Sequence, residues 1–355
     1  MAESVVEADS ELLPPTGIRN PGASDYLAVL VQALTHVPPI RNRLLFWDNP
    51  DGDKVADAVA AGTPLSDAVE ACARSAMEDD HPSYRITGAL QRLMARCIAG
   101  PREQAAELRD LAAAFGWSGA DLAQGHDAQE LYAVLIGALD SELAADTVVE
   151  VSGEAVGPSP NLISSLLTVS VKRTITCSEG HVSERADPAF SLQVRVAGQL
   201  SLVASLHDTF LTSETFDGDN QYSCSQCGVH RDAIMRHSLD PDLPPVLVFT
   251  LARIDFDFIT FTRRKVNSSL EIPATLSKAD LLNRPDAGAD ADVDADADAD
   301  APAYQLAAVV CHSGTANAGH YTAHVRDPAS QTWWLADDAN VEPSPLADGE
   351  WDPRR

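Results

Sequence analysis

The texture of this chain changes once, near residue 160, and that change decides which class of fold it can adopt. Before it, apolar residues recur at helical spacing. Leu27, Leu30, Val31 and Leu34 fall at i, i+3, i+4 and i+7, one face of a helix, and Ser24 or Asp25 stands where a cap is needed. A second helix is expected to start near Asp127. Asp127 and Glu130 have capping-box spacing, and Leu131, Leu135, Ala138 and Leu139 form its apolar stripe. After the change, alternating and β-branched residues dominate 166–176, 190–196, 246–254, 306–311 and 321–326, which read as strands. A block of helices followed by a block of strands predicts an α+β fold rather than a doubly wound parallel sheet.

The expected organisation follows. Residues 1–16 read as a flexible lead, 17–145 as a helical half, about 160–345 as a strand-rich half, and 346–355 as a tail. Between 285 and 302 aspartate alternates with alanine. The alternation imitates a strand, but alanine buries little and the aspartates repel, so the segment reads as a disordered insertion. A calcium loop is the competing reading, and the glycine and glutamate of an EF-hand are absent from it.

Charge narrows the partners. Against 25 Lys and Arg stand 53 Asp and Glu, a formal charge of −28. Such a field repels nucleic acid and anionic lipid and suits a basic partner; the competing reading is that the acidity only confers solubility. No apolar run reaches the length of a membrane span. The acidic N-terminus has neither the basic nor the apolar region of a signal peptide. An intracellular chain, cytoplasmic or nuclear, with reduced thiols is expected. Six cysteines in 355 residues are too few for a disulfide scaffold.

Chemistry-bearing residues concentrate near the end. Tyr304 to Cys311, a glycine-containing turn, and Gly319-His320-Tyr321 read as strand, turn, strand. Trp333-Trp334-Leu335-Ala336-Asp337-Asp338 follows. A histidine beside an aspartate of the next strand is the base-and-orienter half of a hydrolytic triad. Alone, a histidine in such a hairpin is more often structural.

The N-terminal half adds weight to the catalytic reading. Gly17-Ile18-Arg19-Asn20-Pro21-Gly22-Ala23-Ser24-Asp25-Tyr26, continuing to Gln32, is a glycine-bearing loop that feeds a helix. With Gly125-His126-Asp127-Ala128-Gln129-Glu130-Leu131, the Leu243–Phe258 stretch, Gly319-His320-Tyr321 and Trp333 to Val341, it resembles the boxes of the ubiquitin-specific protease family of deubiquitinating cysteine peptidases. The boxes come in the family's order. The resemblance implies a papain-like fold of thumb, palm and fingers, with 17–145 as thumb and 160–345 as fingers and palm. It places Asn20 at the oxyanion hole, His320 as general base, Asp337 as its orienter and Asp338 beside it. Asp127, Gln129, Gly319 and Tyr321 fall where the family holds the ubiquitin tail. Ubiquitin or ubiquitinated proteins are the implied partners, and no catalytic cofactor is implied.

The chain departs from the family at the nucleophile, where Asp25 stands at the cysteine's place with Asn20, Gly22, Tyr26 and Gln32 in register. A carboxylate attacking an amide forms a mixed anhydride, and as a base it is weak, with an ordinary pKa of about 3.9. At a helix start it gains roughly 0.3–1 kcal/mol from the dipole, and it could pair with a protonated His320. Cys72, Cys97 and Cys311 read as packed side chains rather than substitutes. Three readings stay open: a ubiquitin-binding pseudoenzyme, an active thiol enzyme whose residue 25 is misread, and a scaffold that no longer binds ubiquitin.

A metal site is the last expectation. Cys224-Ser225-Gln226-Cys227 is half of a tetrahedral thiolate site. The resemblance supplies the other half from Cys177-Ser178-Glu179-Gly180-His181, where one cysteine is missing. Cys177, Cys224 and Cys227 then need a histidine, His181 or His230, to hold zinc. The alternative is a decayed half-site held by packing.

Overall fold

The computed structural model describes residues 15–46, 85–101, 103–122, 124–144, 150–151, 154–155, 161–257, 261–282, 302–328 and 330–346. Cys72 and all but the last residue of the Asp/Ala segment lie outside them. The described residues form two compact units. One takes residues up to 124 with 307–311 and 321–346; the other takes 125–306 with 312–320. Helices and sheets occur in both, so the fold is α+β.

In the first unit, β1 (Ile18–Arg19) pairs in parallel with β2 (Ala106–Glu107). The helices are α1 (Asp25–Thr35), α2 (Pro38–Phe46), α3 (Arg85–Ala99) and α4 (Arg109–Ala114). The expected single apolar face of α1 is exceeded: Asp25 to Gln32 are all buried, because the helix packs on α2, on α3 and on a sheet strand. That is the pattern of a central helix, apolar on nearly every side. Val29 joins Ala323, Val325, Trp334 and Ala336 in one apolar cluster. Burying a valine of this kind contributes about 1.5–3 kcal/mol.

The expected caps of α1 are replaced by longer-range bonds. Ser24 holds the N-cap position, yet its side chain makes no cap bond. Its hydroxyl donates to Asn20 Oδ1 instead.

In the second unit, β3 (Glu150–Val151) and β4 (Glu154–Ala155) form a short antiparallel pair. Helix α5 (Ala128–Ala144) packs on α6 (Leu162–Leu167). Asp127 Oδ1 accepts the Gln129 amide at 2.7 Å, so Asp127 caps α5 as its spacing predicts. Segment 166–176 departs from its all-strand expectation. Leu166 and Leu167 end α6, and β5 (Val169–Cys177) starts after them. Asn161 decides this. Its side chain caps the helix at the Ile163 amide and also donates to the Asp140 carbonyl of α5.

β5 sits in a four-stranded antiparallel sheet with β6 (Val182–Ala189), β11 (Ala233–Leu239) and β8 (Ser213–Phe216), in the order β6-β5-β11-β8. At one end lies the hairpin of β9 (Tyr222–Cys224) and β10 (Val229–Arg231). β7 (Leu192–Arg195) runs parallel to β12 (Phe249–Ala252). The expected single strand 246–254 breaks at Arg253, whose amide turns back to the Leu251 carbonyl. β13 (Ile254–Asp257) then pairs with β14 (Thr262–Lys265). Helix α7 (Leu202–Leu206), helix α8 (Lys278–Leu282) and the pair β15 (Thr275–Ser277) and β16 (Pro302–Gln305) complete the unit. Their core gathers Val169, Leu192, Val194, Leu202, Leu206, Leu239, Leu276 and Leu281.

The last sheet has the order β17-β18-β19-β20: β17 (Ala308–Gly314), β18 (Gly319–Arg326), β19 (Trp333–Asp337) and β20 (Asn340–Pro343). β18 runs antiparallel to β19, and β19 to β20. Residues 312–320, the end of β17, the turn and the start of β18, are counted with the second unit.

Candidate active site

Asn20 is held by its own loop. Its Oδ1 accepts from the Gly22 amide (3.1 Å), the Ser24 amide (2.9 Å) and the Ser24 hydroxyl (3.0 Å). Three donors on one atom fix which end of the amide is oxygen. Nδ2 therefore faces the other way and donates to Asp338 Oδ2 at 3.1 Å. Asp338 sits in the β19–β20 turn at φ 51°, a left-handed backbone that aspartate tolerates better than most residues. The preceding loop is drawn onto the same turn. Ile18 N–H donates to the Asp338 carbonyl at 2.8 Å. A Cβ on Gly17 would lie 2.2 Å from the Ala339 oxygen, so only glycine fits there.

Asp25 opens α1 and is only 7% exposed. Its Oδ2 accepts the Tyr321 backbone N–H at 2.8 Å. The carboxylate thus joins the start of α1 to strand β18, at the residue that follows His320 in sequence. Bonds to a charged group of this kind are worth about 1.5–3 kcal/mol. Asp337 ends β19 and is half-buried.

The other expected site residues lie in the second unit. His320 is half-buried near the start of β18, and its carbonyl accepts from Ser313 Oγ at 3.3 Å. Gly319 is exposed just before it. Asp127 is half-buried and Gln129 exposed at the start of α5. Asp127 spends one oxygen on its helix cap.

The four residues expected to hold metal come together. Cys177 at the end of β5, His181 before β6, and Cys224 and Cys227 around the β9–β10 turn place one ligand atom each within 4.8 Å of one another. His181 Nδ1 lies 3.2 Å from Cys227 Sγ and 3.7 Å from Cys224 Sγ. Tetrahedral zinc with ordinary bond lengths sets such N···S pairs at roughly 3.6 Å, so this donor set fits zinc. His230, the other candidate, is exposed on β10 and outside the cluster. Backbone turns shape both halves: Gly180 N–H donates to the Cys177 carbonyl, and Gly228 N–H to the Cys224 carbonyl. Both glycines have positive φ, 83° and 70°. Amides of Cys227 and Gln226, with His181, bring the Cys224 thiol down to about 6. Burial and the neighbouring Cys224 push Cys227 up. Of the cysteines read as packed, Cys97 is buried and Cys311 half-buried.

Two contacts carry no sequence signal. Ser24 has no motif of its own and acts by fixing Asn20. Lys265 is 47 positions from the residue it binds, His312, and nothing local announces the pairing.

No helix among the described residues is long and apolar enough to cross a membrane. Residues 16–348 match the family described as "Ubiquitin carboxyl-terminal hydrolase". Similar curated proteins include Ubiquitin carboxyl-terminal hydrolase 47 of Drosophila melanogaster, 26% identical over 96% of this chain and 23% of the relative. Ubiquitin C-terminal hydrolase 12 of Arabidopsis thaliana is 30% identical over 92% of the chain and 25% of the relative. Ubiquitin carboxyl-terminal hydrolase 40 of Homo sapiens is 29% identical over 90% and 23%. The chain thus spans about a quarter of the length of these relatives. With the family match running over nearly its whole length, this chain belongs to the ubiquitin carboxyl-terminal hydrolase family.

Proposed function

We propose that this chain is a ubiquitin-recognising domain of the deubiquitinase class that lacks its nucleophile and acts as a pseudoenzyme. The observation that carries the reading is Asp25, a buried carboxylate bound to the Tyr321 amide where the family's boxes have a cysteine. A thiolate attacks carbonyl carbon because sulfur is polarisable and nucleophilic. A carboxylate forms an anhydride far uphill from an amide, and its negative charge opposes the oxyanion that must develop beside it. In this reading Asn20 retains the oxyanion-facing amide, His320 the base position and Asp337 the orienting position. Asp127, Gln129, Gly319 and Tyr321 receive the extended ubiquitin tail. The chain's acidity suits a basic protein partner.

In the same reading, Cys177, His181, Cys224 and Cys227 hold a structural zinc ion. Bound there, zinc ties the β5–β6 turn to the β9–β10 turn and supplies folding energy rather than chemistry.

The test is hydrolysis of a ubiquitin C-terminal fluorogenic amide by the natural chain and by Asp25→Cys, with ubiquitin titrated in parallel. The proposal expects binding by both and cleavage by the cysteine variant alone. Cleavage by the natural chain overturns the pseudoenzyme reading. Absence of binding by both moves the scaffold reading to the front.

A further inference from the structure

We propose that Lys265 is a positioning residue: through His312 it sets the shape of the turn that presents His320. Lys265 ends β14. Its ammonium donates to the His312 carbonyl oxygen at 2.6 Å, to His312 Nδ1 at 3.0 Å and to the Gly314 carbonyl oxygen at 3.3 Å. An ammonium has three N–H groups and no acceptor, so one side chain can serve all three atoms of the turn.

Two consequences follow. A ring nitrogen that accepts from an ammonium carries no proton, so the His312 proton sits on Nε2. The ring edge bearing that proton lies against Gly319. A Cβ at residue 319 would come within 2.3 Å of His312 Nε2, 2.6 Å of Cε1 and 2.0 Å of the Ser313 oxygen. The ring and the Ser313 carbonyl together leave no room for a side chain at 319, and His320 is the next residue.

The turn is closed further by its own bonds. Thr315 N–H donates to the Ala318 carbonyl at 2.7 Å, and Ser313 Oγ to the His320 carbonyl at 3.3 Å. Gly314 adopts φ 111°, with room for no Cβ because the Ala318 oxygen would lie 2.5 Å away. Residues 316 to 319 are Ala, Asn, Ala and Gly, which offer no bulky side chain to hold the loop. The Lys265 ammonium thus anchors this turn from outside it at three atoms. An apolar residue at 265 would leave two backbone carbonyls and Nδ1 without that donor.

The purpose given to the clamp rests on the ubiquitin-recognition reading; the clamp itself does not. The decisive experiment records ¹⁵N-correlated spectra of the histidine rings and backbone amides in the full chain, natural and Lys265→Met, and titrates ubiquitin into each. The natural chain should show His312 neutral with its proton on Nε2. Lys265→Met should free Nδ1 to take up a proton, change the His312 ring signals and shift the amides of Ser313 to His320. Its affinity for ubiquitin should fall by about tenfold, with partial recovery in Lys265→Arg. A His312 protonated on Nδ1 in the natural chain overturns the proposal, with no dependence on how the variant folds. So does a Lys265→Met chain whose His312 ring and His320 amide stay unshifted. If the ring and amide signatures appear while ubiquitin binds neither chain, the clamp stands and the ubiquitin reading falls.

Discussion

Asn20 and Asp338 are 318 positions apart in sequence and joined by a 3.1 Å hydrogen bond from Nδ2 to Oδ2. The bond orients an amide whose oxygen is already committed to Gly22 and Ser24. Asn20→Ala strips the acceptor from two backbone amides and a hydroxyl. It should destabilise the chain by about 1–3 kcal/mol. Asn20→Asp keeps an acceptor for those donors but sets a second carboxylate against Asp338. Urea denaturation of both should place each below the natural chain.

Asp25 should be separable into its charge and its hydrogen bond. Asp25→Asn keeps an oxygen for the Tyr321 amide and should lose little stability. Asp25→Ala leaves that amide without its acceptor and should cost about 1–3 kcal/mol. Asp25→Cys is expected between them in stability and above both in cleavage of a ubiquitin amide. Thermal melts and the fluorogenic assay together check the ordering.

Zinc analysis of chain purified without chelator should give one ion per chain. His181→Ala should lower that occupancy and His230→Ala should leave it unchanged, because His181 alone of the two faces the thiols. Stripping the ion should lower the melting temperature of the natural chain. Equal zinc contents in the two variants would remove His181 from the site.

His324 gives the chain a pH dependence of definite sign. Its Nδ1 meets the Ser344 hydroxyl at 2.8 Å, and burial holds the imidazole below its ordinary pKa. His237 is lowered as well, first by burial and then by Arg173. The unfolded chain therefore binds more protons than the folded one as pH falls below about 6.5. Stability contributed by the neutral rings is present above that pH and is lost on acidification toward the folded-state pKa. Melting temperatures from pH 7 downward should fall, and less steeply in His324→Gln. A His324→Gln slope equal to that of the natural chain would assign the loss to other groups.

Gly17→Ala should be among the most damaging small substitutions. The new methyl would meet the Ala339 carbonyl oxygen, which is backbone and cannot swing aside. A loss of about 1–3 kcal/mol or more is expected, read from denaturant midpoints.

Much of this architecture is written in local patterns. The period of Leu27, Leu30, Val31 and Leu34 marks α1, and Asp127 marks the start of α5. Periodicity misled at Leu166 and Leu167, where a short apolar run is as consistent with helix as with strand. Asn161 bonding back to Asp140 settles it, and such a contact has no sequence signature. Helix α1 is buried on nearly every side because the sheet strand β19 packs against it from about 300 residues away, which no local window can see. The family was legible through its boxes. The bonds that orient the candidate site were not. Ser24 reads as a helix cap and serves Asn20, and nothing near Lys265 in the sequence announces its bond to His312.

The carboxylate at the start of α1 also sets which reagents this position can resist. Peroxide and iodoacetamide both work by reaching a thiolate. At residue 25 they meet a carboxylate whose Oδ2 already holds the Tyr321 amide. An oxidant finds no sulfur at residue 25 to convert. The junction between helix and strand keeps its form in reducing and oxidising surroundings alike.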